Sequence, residues 1–291
     1  MRLALRRGIF LLVFGVALGA CTPTGVSLPF SEPAAAVVDG HSIPMKAYQA
    51  RLQVSRHRDP FNGVPEAIPS PAPSKRLEDF TIDQLVREEI VRQEAEKRGI
   101  TIDDRAVQGR IDGLRSKDGP SAFNAALSRN GFTAESFGAY ERALLTEVSL
   151  IRAMAGDRAR SAAGELKSGA TFASVAARWS DDTGTFARGG DAGWLRPAEI
   201  PEPPLAKAVE SLTTGAVSGI VQTNRGFTIA SVLERRNDQV HLAVILVLAP
   251  SIDLYSPQGT GAWFTKFVDD RESALRGAGK IVVKVGSSAR G

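Results

Sequence analysis

The chain has 291 residues, enough for one or two domains with their own cores. Hydrophobic residues at 43% and charged residues at 23% are those of a globular protein and exclude a disordered one. The formal charge of +4 falls to +1 once Arg2, Arg6 and Arg7 are set aside with the leading segment, which leaves no electrostatic case for nucleic-acid binding.

Residues 1–20 read as a targeting segment: basic Arg2, Arg6 and Arg7, an apolar run from Gly8 to Leu18, then small residues before Cys21. The apolar run is shorter than the ~20 residues that span a bilayer. Leu18-Gly19-Ala20-Cys21 resembles the bacterial lipoprotein cleavage box, which implies that Cys21 is acylated and becomes the first residue. Cys21 is the only cysteine, so no intramolecular disulfide is possible, and acylation would remove a thiol that is a liability in an oxidising compartment. Thr22 after it, by resemblance to enteric lipoproteins, points to the outer membrane. Residues 21–36 are rich in Pro and small residues and read as a tether.

From Ala36 the chain reads as a small hairpin turning at Asp39 and Gly40, then a short helix from Met45 to Arg56. Asp59 to Ser74 holds five prolines and reads as an irregular loop. Ile82, Leu85, Val86 and Ile90 recur at helical spacing in a helix closed by Gly99. Thr101 with Asp104 gives a capping pattern for the next helix, which carries Val107, Ile111 and Leu114 and stops at Gly119-Pro120. A short helix around Phe123 ends at Asn130-Gly131. Thr133 then caps a longer one, striped by Phe137, Tyr140, Leu144, Val148 and Ile151. Such stripes are first of all core faces. Three pieces resemble the N-terminal chaperone domain of SurA-like periplasmic proteins: Val37-Val38-Asp39-Gly40, the run from Leu85 to Asp103, and Asn130-Gly131-Phe132-Thr133.

The second half is organised around a Gly- and Asp-rich loop from Ser180 to Trp194. Glu165 to Ala176, Trp179-Ser180-Asp181-Asp182, Gly189 to Trp194, Leu212 to Ser218 and Arg225-Gly226-Phe227 follow in an order that resembles the parvulin-type peptidyl-prolyl isomerase domain. The two resemblances imply an α+β protein with five parts. These are the leader 1–20, the tether 21–36, a helical SurA-like domain 37–156, a parvulin-like domain 157–250 with a four-stranded antiparallel sheet and short helices, and a helix and strand in 251–291 packing on that sheet.

Prolyl isomerisation lowers a rotation barrier of ~18–20 kcal/mol without a covalent intermediate. An apolar pocket grips the proline while polar groups favour the twisted amide. In parvulins the polar part is two histidines and a Cys or Asp, beside Met and Phe. The resemblance puts Asp182 at the Cys/Asp position, Ile200 at the Met position, and Pro204 or Leu205 at the Phe position. It puts Thr228 where the last-strand histidine belongs, and Trp194 and Phe227 complete the substrate-binding set. The first strand, with the other histidine, should precede the helix that starts at Asp157, but Glu147 to Ala155 reads as helix. The run from Leu242 to Ala249 resembles that strand, with Val244 at the histidine position. It either completes the sheet from the C-terminal side or opens a second, truncated unit. His241 is offset from Val244 by an odd number of residues, which puts it on the other face. His41 and His57 read as surface residues.

No metal or cofactor is implied. The reading is a lipid-anchored, periplasm-facing folding factor that binds unfolded or partly folded exported chains, with a weakened or degenerate isomerase domain. The alternative is a non-catalytic accessory lipoprotein of an envelope assembly or export system.

Overall fold

A computed structural model describes residues 32–57, 75–256 and 259–286. The leader with Cys21 and the Pro-rich segment lie outside them. Strands β1 (Ala34–Val38) and β2 (His41–Pro44) form the hairpin. Its turn residues Asp39 and Gly40 both hold positive φ, 46° and 86°, as a tight two-residue hairpin requires. Ala35 and Ala36, assigned to the tether on sequence grounds, instead lie within β1 and are fully buried.

Five helices follow: α1 (Met45–His57), α2 (Leu77–Lys97), α3 (Asp104–Asp118), α4 (Pro120–Arg129) and α5 (Ala134–Lys167). The cap of α3 is Asp103 rather than Thr101, because the carboxylate directly before the helix reaches the Ala106 N–H at 2.8 Å. Thr133 caps α5 in a reciprocal box with Ser136. The helix then runs for 34 residues without a break, through the boundary expected at 156/157. Its first half packs on α2 and its second half carries Ala155, Ala159 and Ala162, all fully buried. Those small side chains let the helix sit close against a sheet.

That sheet comprises β3 (Asp191–Leu195), β4 (Val221–Gln222), β5 (Gly226–Arg236) and β6 (Gln239–Leu248), antiparallel in the order β3-β6-β5-β4. Helix α6 (Phe172–Trp179) precedes β3, and α7 (Pro203–Ser211) lies between β3 and β4. β6 lies between β3 and β5, so the strand from the C-terminal side completes the sheet and does not open a second unit. The reason is local. Since α5 continues as helix where a first strand would have to start, the vacant central position is filled by the return arm of the β5–β6 hairpin. Only Asn237 and Asp238 form its turn, with Asn237 at φ 51°.

The C-terminal part corrects the expectation of packing on this sheet. Helix α8 (Ala262–Gly277) lies on α2, where Phe264, Val268 and Leu275 join the core containing Val86 and Ile90. Strand β7 (Ile281–Val283) pairs with β1 and extends the N-terminal hairpin to three strands. The apolar stripe of α8 matches that of α2, and β1 has a free edge that β7 satisfies. Ion pairs from Arg87 to Asp269 (3.0 Å) and from Arg271 to Glu94 (2.8 Å) flank the contact. Among the described residues no helix is long and apolar enough to cross a membrane.

Candidate functional site

Strand side chains alternate, so the β3–β6–β5 sheet presents two faces. On one face Val240, Leu242 and Val244 of β6 meet Ala230 and Val232 of β5 and Leu195 of β3. Ile200, just after a 3-10 turn at Pro197–Glu199, and Leu205 and Val209 of α7 close over them. Thr228 shares the face of Ala230 by alternation, and its cross-strand partner is Leu246, two residues beyond Val244. Four of the sequence-derived positions, Ile200, Leu205, Thr228 and Val244, therefore lie on one face. Leu205 is 4% exposed, Ile200 7% and Thr228 3%, while Val244 is half-buried.

The chain holds this face in place by specific devices. Arg235 Nη2 donates to the carbonyls of Val209 (2.7 Å) and Leu212 (2.6 Å), which covers the C-terminal end of α7. Gly190 holds φ 87°, and a Cβ there would stand 2.6 Å from the Val244 carbonyl oxygen. The Val244 N–H donates to the Gly190 carbonyl at 2.8 Å. The glycine run thus lets the loop pair edge-on with β6 at Val244.

Asp182 is engaged within its own loop. Its Oδ2 accepts from the Thr185 hydroxyl at 2.7 Å and its Oδ1 from the Gly184 N–H at 3.2 Å, so the carboxylate caps its own turn. The buried acid of this loop is Asp181. It accepts from the Leu248 N–H and from Trp263 Nε1, each at 2.9 Å, and Arg158 stands 3.9 Å away. Burial pushes its carboxyl above the ordinary range, against those donors and that cation. Arg158 lies between the rings of Trp179 (5.2 Å) and Trp263 (4.9 Å). This cluster ties α5, the loop and α8 together. Sequence spacing carries no sign of it, because its members are scattered over more than a hundred positions.

Trp194 and Phe227 leave the candidate site. Trp194 is opposite His241 across the β3–β6 ladder and stacks on it at 5.2 Å, on the other face of the sheet from Val244. His241 Nε2 and Asp191 Oδ1 are 2.8 Å apart, and Arg236 covers the indole at 4.6 Å. The Gly193 N–H and then His241 hold the Asp191 carboxyl below its ordinary value. Phe227 packs against the main core, with Arg152 over its ring at 5.7 Å. Both displacements follow from alternation, since each residue is an odd number of positions from its site-facing neighbour. His41 lies on β2, 3.1 Å from Arg92, and His57 ends α1. Neither is near the site face. Among the described residues no group of three or more His, Cys, Asp or Glu side chains converges as metal ligands would.

Comparison with known proteins agrees with this architecture. The family model described as a SurA-like N-terminal domain matches residues 1–150, and that of a PPIC-type PPIASE domain matches residues 145–234. The second match ends before β6. The chain is 36% identical over 98 residues to the chaperone SurA of Pseudomonas syringae pv. tomato, covering 31% of this chain and 22% of that one. It is 23% identical over 252 residues to the chaperone SurA of Chromobacterium violaceum, covering 69% and 57% respectively. Against three such chaperones the chain spans 22%, 19% and 15% of their length. Among solved structures it is similar to the foldase PrsA of Lactococcus lactis, with TM-score 0.34, 17% identity, and coverage of 89% of this chain and 96% of that one. Since the first family model takes in more than half of the sequence, the chain belongs to the SurA-like family, with a SurA-like N-terminal domain followed by a parvulin-type isomerase domain.

Proposed function

We propose that this protein is a folding factor of the periplasm, tethered to the membrane through acylated Cys21, and that it binds unfolded or partly folded exported chains. Its parvulin-type domain grips proline-bearing segments more than it turns them over. One observation supports this reading: the site face is apolar, and Val244 and Thr228 lie on it at the positions that the resemblance gives to the two histidines. The nearby acid, Asp182, spends both oxygens on its own turn. Ile200, Leu205 and Val244 supply a wall for a pyrrolidine ring, which dispersion and burial favour without any proton transfer. On this reading that face offers, among the described residues, no imidazole or charged group to stabilise the twisted amide. Uncatalysed isomerisation takes ~10–100 s, so holding a chain through that interval is useful in itself.

The test is suppression of aggregation by purified residues 22–291. The reading expects stoichiometric protection of several unrelated unfolded proteins. Capture of a single stoichiometric partner from envelope extracts, with no such protection, would replace it by an accessory lipoprotein of an assembly or export system.

A further inference from the structure

The wall of the site face carries one charged side chain whose placement neither packing nor capping explains. Between Ile200 and Leu205 the chain reads Pro201-Glu202-Pro203-Pro204. Each proline fixes its own φ, and Pro203 holds Glu202 out of the helical region, at φ −107° and ψ 104°. Glu202 is thereby the capping residue of α7, and its backbone carbonyl accepts from the Leu205 N–H at 2.9 Å and the Ala206 N–H at 3.0 Å. A carboxylate in that position ordinarily turns back onto the first free N–H groups of the helix. Pro203 and Pro204 have no N–H, and that of Leu205 is already taken, so the side chain makes no capping bond.

The carboxylate is turned inward instead. The Glu202 side chain is 15% exposed, its Oε1 is shut off from solvent, and among the described residues that oxygen accepts no hydrogen bond. Its ion-pair partner is Arg225, whose Nε stands 3.9 Å away, beyond hydrogen-bonding distance, on a side chain that is 52% exposed. A long contact from a half-exposed guanidinium is screened by water and contributes little. Arg225 lies in the turn between β4 and β5. Three residues on, Thr228 is on the site face and pairs with Val221 of β4, which packs against that face. The Glu202–Arg225 pair therefore joins the start of α7 to the β4–β5 turn, at the rim of the wall that Ile200 and Leu205 form.

A buried carboxylate oxygen without a donor is costly, and beside an apolar wall for a pyrrolidine ring it fits a ligand that brings a cation next to that ring. We infer that Glu202 is a specificity-determining residue of this site, and that its preferred ligands are proline segments with a lysine or arginine directly flanking the proline. This deepens the proline-gripping reading above and rests on it. The flanking cation takes the place of Arg225 at Glu202 and exchanges the 3.9 Å contact for a charge-assisted hydrogen bond. Arg225 swings into water, where half of its side chain already lies. Selection works in both directions, since Glu202 attracts a basic neighbour of the proline and repels an acidic one. Arg225 alone would favour the opposite sign, but it is the exposed and screened member of the pair.

The test measures binding of labelled peptides to the full chain, in two series, Ala-Ala-Xaa-Pro-Ala-Ala and Ala-Ala-Pro-Xaa-Ala-Ala, with Xaa as Lys, Ala or Glu. In the better of the two series the Lys peptide should bind about tenfold more tightly than the Ala peptide, and the Glu peptide most weakly. Glu202→Gln keeps the shape and removes the charge, and should bring the Lys-to-Ala ratio below about two. Arg225→Ala removes the internal competitor and should widen the ratio by about two- to threefold. Added salt should narrow it. A wild-type ratio near one in both series, or a ratio that Glu202→Gln leaves unmoved, would overturn the proposal while leaving the proline grip standing. Tightest binding of the Glu peptide would overturn it too, and would hand the selection to Arg225. If wild type binds these peptides no better than versions with alanine in place of proline, the proline-gripping reading falls and this proposal with it.

Discussion

At the scale of single residues, a place in a motif does not by itself say what a side chain does. Asp182, which the resemblance sets at the family's acidic position, has its oxygens engaged by Thr185 and Gly184. Asp182→Ala should cost about 1 kcal/mol of stability, as loss of a capping side chain does, measured by chemical denaturation. Loss of client affinity without loss of stability would contradict the capping role. Glu141 gives a second prediction. Burial raises its carboxyl above the ordinary value of 4.5, so the native state binds this proton more tightly than the unfolded chain. Its stabilising contribution is therefore present below pH 4.5 and is lost as pH rises through the raised folded value. Glu141→Gln should be more stable than wild type at pH 7, by on the order of 1 kcal/mol, with the gap closing below pH 4.5. A wild type that is the more stable of the two at pH 7 would show that Arg110 outweighs the burial.

At the scale of elements, the central fact is that β6 lies in the middle of the parvulin-type sheet although it comes last of that sheet's four strands in the chain. Deleting residues 238–291 removes the partner of both β3 and β5. The truncated chain should lose the cooperative melting of this domain, followed by circular dichroism. An unchanged transition would contradict the topology. This feature was legible in the sequence. The Leu242–Ala249 run is apolar and β-branched as a central strand must be, and the helical stripe from Thr133 left no room for an earlier one. The face of each side chain was less legible. Trp194 and Phe227 belong to motifs that mark the domain, but motif membership does not say which way a strand residue points. A register shift in β3 between Asp191 and Gly193 also breaks simple counting. Asp181, Arg158 and the two tryptophans around it were not legible at all, since their contact exists only once α8 has folded back.

At the scale of the whole molecule, the two ends of the described chain close the same core. β7 completes the sheet begun by β1, and α8 fills the flank of α2. The sequence did not disclose this because a short amphipathic helix carries no address; its stripe fits any complementary face. Phe264 is 1% exposed in that contact. Phe264→Ala should cost about 3–5 kcal/mol in denaturant unfolding, and the loss should appear in the helical region as much as in α8 itself. A cost below 1 kcal/mol would mean that α8 is an appendage. The function proposed above is that of a parvulin-type domain that holds proline-bearing chains without the imidazoles the resemblance leads one to expect. The most direct test is a proline-peptide isomerisation assay on residues 22–291, wild type beside Asp182→Ala. The account predicts a rate at or barely above the spontaneous one for both chains, with the peptide still bound. Strong acceleration by wild type that Asp182→Ala abolishes would contradict it.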